Sequence, residues 1–133
     1  MSSSDSKQAV DPGKPLDRIR VLVVDDDEGN ATLLTRLLEH SGHDVRMAND
    51  GPTAIDLARD YQPEFVLLDI GLPGMDGFEV ARRLRTQHTV AGLQLVAVSG
   101  YEKEDEGPNA GIFDHWLVKP VPLVALQKLI GRS

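Results

Sequence analysis

Three apolar runs constrain this chain more than anything else in it: Val21-Leu22-Val23-Val24, Phe65-Val66-Leu67-Leu68 and Leu93-Gln94-Leu95-Val96-Ala97-Val98. A strand with one face in water alternates apolar and polar residues, and these runs do not. They suit a parallel sheet covered on both faces. Val45-Arg46-Met47-Ala48 is more polar, as an edge strand would be, and Trp116-Leu117-Val118 is a brief last run. Parallel neighbours need crossovers, usually helices, and helical patterns fill the gaps. Asn30 to His40 sets Leu33, Leu34, Leu37 and Leu38 on one stripe, with Gly42 as a stop. Asp50-Gly51-Pro52 opens a second helix carrying Ala54, Ile55, Leu57, Ala58 and Tyr61, with Pro63 beyond its end. Asp76 is placed to cap a third, Phe78 to Thr86, which buries Phe78, Val80, Ala81 and Leu84. Pro122 starts a last one with Leu123, Leu126, Leu129 and Ile130. Between Ser99 and Trp116, Glu102 to Glu106 opens a helix that Gly107-Pro108 should interrupt. Five strands alternating with four or five helices predict an α/β fold: an open, doubly wound parallel sheet with helices on both faces.

Ligands of such sheets bind outside the carboxyl ends of the strands. The first run stops at Asp25-Asp26-Asp27, the third strand at Asp69, the fourth at Ser99 and the fifth at Lys119-Pro120. Singly, each is an ordinary loop residue; together they deliver carboxylates, a hydroxyl and an ammonium to one edge. Carboxylates about 4 Å apart repel by about 4 kcal/mol at an effective dielectric near 20. They must share a proton or bind a cation. A few hard oxygen ligands suit Mg²⁺, which keeps several waters and accepts phosphate oxygens. A metal site, a cation, a hydroxyl and a nucleophilic carboxylate are the parts that phosphoryl transfer needs. His40, His43, His88 and His115 lack zinc-ligand spacing. His40 and His43 are expected at a helix C-terminus, serving its dipole or in solvent.

The 133 residues hold 14 basic and 21 acidic side chains, a formal charge of −7 that disfavours gripping nucleic acid or anionic lipid. Cysteine is absent, which excludes disulfides and thiolate metal sites. Residues 1–17 are polar and read as a flexible tail or linker before a domain over 18–133. No apolar run approaches the roughly 18 residues of a membrane span, and no signal core is visible, so a cytoplasmic location is expected.

VLVVDDDEGN, LLDIGLPGMDGFEV, LVAVSGY and WLVKPV, taken in order, resemble the receiver domain of two-component response regulators over about residues 18 to 133. The resemblance implies a flavodoxin-like sheet of strand order 2-1-3-4-5 and a Mg²⁺ cofactor. It implies that Asp69 accepts a phosphoryl group from a histidine kinase or histidine phosphotransfer protein. Asp26 matches the acid that contacts the ion directly, Asp25 the acid that acts through water, and Gly71 the residue whose carbonyl completes the site. Asp27 falls outside the acidic pair and reads as a loop carboxylate. Lys119 matches the lysine that pairs with the phosphoryl group, and Ser99 the switch hydroxyl. The family carries a cis peptide bond where Lys119-Pro120 stands, and cis is tolerable before proline. Gly71 leaves the approach to Asp69 open, so Gly71→Asn is expected to change the rate of phosphoryl loss.

Two departures stand out. Trp116 occupies the position of a smaller aromatic that alternates between rotamers in the family. It reads equally as a moving switch residue or as a fixed, partly buried aromatic. GYEKEDEGPNAGIFDHW is shorter than usual between hydroxyl and lysine, which predicts a short, distorted or mobile fourth helix. The expected output is a protein target, without direct contact to nucleic acid or membrane, from a monomer or weak homodimer. The resemblance implies a phosphorylated signalling domain that catalyses only its own phosphorylation and dephosphorylation, rather than an enzyme acting on other substrates.

Two other readings compete. Asp25-x-Asp27 is reminiscent of aspartate-based phosphatases of the haloacid dehalogenase type. Those expect Thr or Val at Gly29 and more chain for a cap, and they leave the Asp69 loop without a purpose. A pseudo-receiver that only binds is the other alternative, but such chains generally lose an acid, the acceptor or the lysine. The glycines Gly71, Gly74 and Gly77 follow the third strand rather than the first, against a dinucleotide site.

Overall fold

A strand that is apolar on both sides is stable only between two layers, and that is where the chain places it. The structure, a computed structural model, describes residues 19–72, 74–88, 92–101 and 111–130. Its elements in chain order are β1 (Arg20–Val24), α1 (Glu28–His40), β2 (Asp44–Ala48), α2 (Gly51–Tyr61), β3 (Phe65–Asp69), α3 (Gly77–Gln87), β4 (Gln94–Ser99), β5 (His115–Val118) and α4 (Leu123–Ile130). The strands form one five-stranded sheet in the order β2-β1-β3-β4-β5. Every pairing is parallel. The fold is thus the doubly wound α/β sheet that the alternation predicts. The tail expected over 1–17 and the interrupted helix expected over Glu102 to Pro108 fall outside the described residues.

Successive residues of the central strands feed opposite cores. Leu22, Val24, Val66, Leu68, Leu95 and Ala97 pack beneath α2 and α3. Val21, Val23, Phe65, Leu67, Val96 and Val98 pack beneath α1 and α4. Leu22 and Leu68 are fully buried, each worth about 1.5–3 kcal/mol of transfer free energy. Both cores end where the strands end, so the polar residues just beyond lie at the rim of a stiff platform.

Three aspartates start α1, α2 and α3. Asp27 accepts from the Asn30 N–H, Asp50 from the Thr53 N–H, and Asp76 from the Phe78 N–H. Each satisfies an N–H that the helix leaves without a partner. Asp27 is therefore a helix cap rather than a loop carboxylate, and α1 begins ahead of the predicted Asn30. His43 also departs from expectation. It is buried, and its Nδ1 accepts the Ile19 N–H at 3.2 Å. The chain turns back at Gly42 (φ 98°) and carries this ring under the start of β1. No helix among the described residues is long and apolar enough to cross a membrane.

Candidate functional site

The β1 ladder runs one residue past the strand, since the Asp25 N–H donates to the Ala48 carbonyl at 3.1 Å. That bond fixes the Asp25 backbone under the first turn of α1. The Asp25 side chain is only 3% exposed. Its Oδ1 accepts the Asp27 N–H at 2.9 Å, and its Oδ2 accepts from Asn30 Nδ2. Asp26 follows on the exposed side. β3 ends on Asp69, which is 6% exposed. The Gly71 N–H donates to Asp69 Oδ1 at 2.9 Å, and Lys119 Nζ donates to Asp69 Oδ2 at 3.0 Å. One carboxylate oxygen from each of Asp25, Asp26 and Asp69 lies within 4.8 Å of the others.

β4 and β5 build the opposite wall. The Lys119 N–H donates to the Ser99 carbonyl at 2.7 Å, so the two residues face the acids from adjacent strand ends. The Ser99 hydroxyl is buried and accepts the Tyr101 N–H at 3.1 Å. The Tyr101 carbonyl in turn accepts from Trp116 Nε1 at 2.9 Å. The Trp116 indole packs edge-on against Phe113, with centroids 6.1 Å apart, and tilted against Phe78 at 6.3 Å. It is thus half-buried and turned inward. The Lys119-Pro120 peptide bond is cis. Asp25, Asp26, Asp69, Gly71, Ser99 and Lys119 all line one open cleft of about 490 Å³.

Close packing sets the loop after β3. A Cβ at Gly77 would lie 2.9 Å from the Ile70 Cα and 3.1 Å from its carbonyl oxygen. The absence of that side chain lets the start of α3 press against the residue next to Asp69. Gly71 is different: a Cβ there would sit 3.5 Å from Asp69 Oδ1, an ordinary contact.

The electrostatics follow from this crowding. Burial pushes the Asp25 carboxyl above its ordinary value; the bonds from Asp27 and Asn30 oppose that, and the charge on Asp69 adds to it. For Lys119, burial works against the charged form, but the Asp69 bond and the charges of Asp69, Asp25 and Asp26 hold its pKa above the ordinary value. The donor set is all oxygen, with a lysine at its edge. That chemistry fits a hard divalent cation beside an anion, and no histidine belongs to the cluster.

Asn30 and Tyr101 are the site residues that sequence reasoning missed. Asp27-x-x-Asn30 has the spacing of a capping box, which was the available signal for Asn30. Tyr101 acts through its backbone, which leaves no signal in residue type. One oxygen of Asp27 caps α1, and the acids that cluster are Asp25, Asp26 and Asp69 rather than the Asp25-x-Asp27 pair of the phosphatase reading.

Comparison with known proteins agrees with the fold. Residues 21–131 match the family model for the response regulator receiver domain. The chain is 40% identical over 110 residues to the response regulator PleD of Caulobacter vibrioides, covering 80% of this chain and 24% of PleD. It is 39% identical over 115 residues to the response regulator MprA of a Mycobacterium species, covering 86% of this chain and 48% of MprA. It thus spans a quarter to a half of the length of those relatives. Protein PilH of Pseudomonas aeruginosa is 35% identical, with 84% of this chain and 94% of PilH covered. A CheY-like receiver domain from Methylobacillus flagellatus superposes with a TM-score of 0.76 at 28% identity, over 84% of this chain and 95% of that one. The receiver domain of sensor histidine kinase PA1611 from Pseudomonas aeruginosa has a magnesium ion in its active-site cleft. It superposes with a TM-score of 0.74 at 25% identity, over 86% of this chain and 96% of that one.

Proposed function

The chain belongs to the response regulator receiver domain family, and from that premise we propose that Asp69 accepts a phosphoryl group from a histidine kinase or histidine phosphotransfer protein. The observation that carries the reading is the meeting of three carboxylates within 4.8 Å of one another, with Lys119 Nζ 3.0 Å from Asp69 Oδ2. In the proposed step, Asp69 Oδ2 attacks the phosphorus of a phosphohistidine. The new O–P bond forms as the P–N bond breaks; the imidazole nitrogen keeps the electron pair and takes a proton from solvent. Asp69 Oδ1 stays tied to the Gly71 N–H, which orients Oδ2 toward the donor. Lys119 transfers its ammonium from Oδ2 to the arriving phosphoryl oxygens. Asp25, Asp26 and Asp69, with the Gly71 carbonyl, would hold Mg²⁺, whose chemistry is to neutralise charge developing on the phosphoryl group.

The phosphoryl group brings about 1.5 to 2 negative charges and strong acceptor oxygens. Ser99, whose oxygen accepts the Tyr101 N–H, would donate its O–H to them by turning further into the cleft. That change propagates to Tyr101 and, through its carbonyl, to Trp116, and so biases a surface read by a protein target. The phosphodonor has an approach at hand. Leu33, Leu34, Pro120, Val121 and Leu123 line a groove that opens beside Lys119. A cytoplasmic protein acting by protein contact, as a monomer or weak homodimer, fits this chemistry.

The test is incubation with a low-molecular-weight acyl phosphate and Mg²⁺, followed by intact mass. We expect one phosphoryl group on the parent and none on Asp69→Asn. Equal labelling of the two, or no labelling of the parent, would overturn the reading.

A further inference from the structure

The first turn of α1 is built around one acid. Asp25 has both carboxylate oxygens occupied by N–H groups of the same turn: Oδ1 by Asp27 at 2.9 Å and Oδ2 by the Asn30 carboxamide. Asp27 closes the loop by capping the Asn30 N–H with its own side chain at 3.2 Å. These bonds act at an acid that is 3% exposed and has Asp69 as a like-charged neighbour. Repulsion from Asp69 favours a rotamer that swings Asp25 away from the cluster. The backbone bond on Oδ1 restrains one oxygen; the second oxygen is held by a side chain, and that side chain can be changed.

We infer that Asn30 is a positioning residue of the cation site, whose carboxamide holds Asp25 in its cation-facing rotamer before any ion arrives. The inference rests on the proposed Mg²⁺ reading and adds to it a residue that contributes no ligand. Asn30 is neutral, so it adds no charge to the cation's field. Its chemistry is that of a donor to a ligand's outer oxygen, and losing such a partner typically weakens a metal about 10–100-fold. The bond also explains why an amide suits this position. A carboxylate would repel Asp25, and an aliphatic side chain would leave Oδ2 without a donor.

The experiment is calorimetric titration of the full chain with Mg²⁺ alone, with no phosphodonor. Parent, Asn30→Leu, Asn30→Asp and Asn30→Gln are compared, and each thermal midpoint is recorded in chelator. None of these changes touches the Asn30 backbone N–H that Asp27 caps, so α1 keeps its cap. Asn30→Leu should bind Mg²⁺ about tenfold more weakly. Asn30→Gln, which retains the donor, should recover most of that loss, and Asn30→Asp should bind more weakly than the parent. If Asn30→Leu matches the parent, Asn30 has no part in the site and the inference falls. If Asn30→Asp binds more tightly, residue 30 faces the ion as a ligand, which also overturns it. A glutamine variant as weak as the leucine one would show that the carboxamide is not what acts. Should the leucine variant fail to fold, the aspartate and glutamine variants decide between them. A parent that takes up no Mg²⁺ would sink the cation reading itself, a result distinct from all of these.

Discussion

Replacing Lys119 by Met tests whether the ammonium and the divalent cation answer the same electrostatic need. Methionine keeps an unbranched stem of similar length and removes the charge. At 3.0 Å, the attraction between Lys119 and Asp69 is about 5.5 kcal/mol at an effective dielectric near 20. The repulsion of Asp25 and Asp69, about 3.5 kcal/mol at the 4.8 Å limit of their approach, is common to both proteins and is left unopposed in the variant. The Lys119 side chain is 37% exposed, so water screens much of the attraction. The expected net loss without divalent ions is about 1–2 kcal/mol, or roughly 5–10 °C in Tm. This contribution is fully present below the ordinary lysine pKa and is lost as pH rises through the raised folded-state value, so it acts in full at neutral pH. Saturating Mg²⁺ should narrow the gap between parent and variant, because the ion supplies the missing positive charge. By linkage the variant must then bind Mg²⁺ more tightly, about fivefold for each 1 kcal/mol of narrowing. Thermal unfolding followed by circular dichroism, with and without Mg²⁺, measures both sides of this cycle. A variant as stable as the parent in chelator, or one whose deficit Mg²⁺ leaves untouched, would refute the argument.

Gly71→Leu places an apolar side chain in ordinary contact with Asp69. Stability should change by less than about 0.5 kcal/mol, while the phosphoryl group, covered from attacking water, should persist several-fold longer in an acid-quench time course. Gly77→Ala should act on stability. Helix propensity favours alanine, but the Cβ meets the Ile70 backbone at 2.9 Å, and displacing that loop should cost about 1–3 kcal/mol in urea unfolding and slow phosphorylation of Asp69. Tyr61 is held at a pKa of about 12, by burial first and then by the charge of Asp44. Its neutral form is favoured by folding, so this contribution is complete below the ordinary value near 10 and is lost as pH rises towards 12. Tyr61→Phe should therefore lose less stability than the parent across that alkaline window, as read by fluorescence-detected unfolding.

The sheet was legible because its evidence is one-dimensional. Val21 to Val24 and Phe65 to Leu68 are apolar without alternation, and only burial on both faces explains that. The juxtaposition of Asp25, Asp69, Ser99 and Lys119 followed from the same logic, since parallel strands deliver their carboxyl ends to one edge. Helix edges were less legible. Asp27 does not stand out as a cap because three consecutive aspartates look alike in sequence, and only the direction of the chain assigns the third to α1. His43 reads from sequence as a ring that serves the helix dipole or lies in solvent, as polar rings near a helix end usually do. Its burial depends on the Ile19 N–H, whose partner is set by packing across the sheet. The link from Ser99 through Tyr101 to Trp116 runs over backbone atoms and had no sequence signature.

One rung of that sheet has a mechanical consequence. The bond from the Lys119 N–H to the Ser99 carbonyl rivets together the backbones of the two residues that face the acids from β4 and β5. Neither main chain can drift without tearing the ladder, which leaves side-chain rotation as the inexpensive movement at Ser99. The first joint beyond the rivet is Gly100, where no side chain resists a swing and an added Cβ would meet nothing within 4 Å. Tyr101 follows that joint with its side chain 75% exposed and its backbone held between Ser99 and Trp116. The frame thus sorts its own parts: fixed main chains at the cleft, turning side chains within it, and a glycine joint at the head of the Tyr101 link.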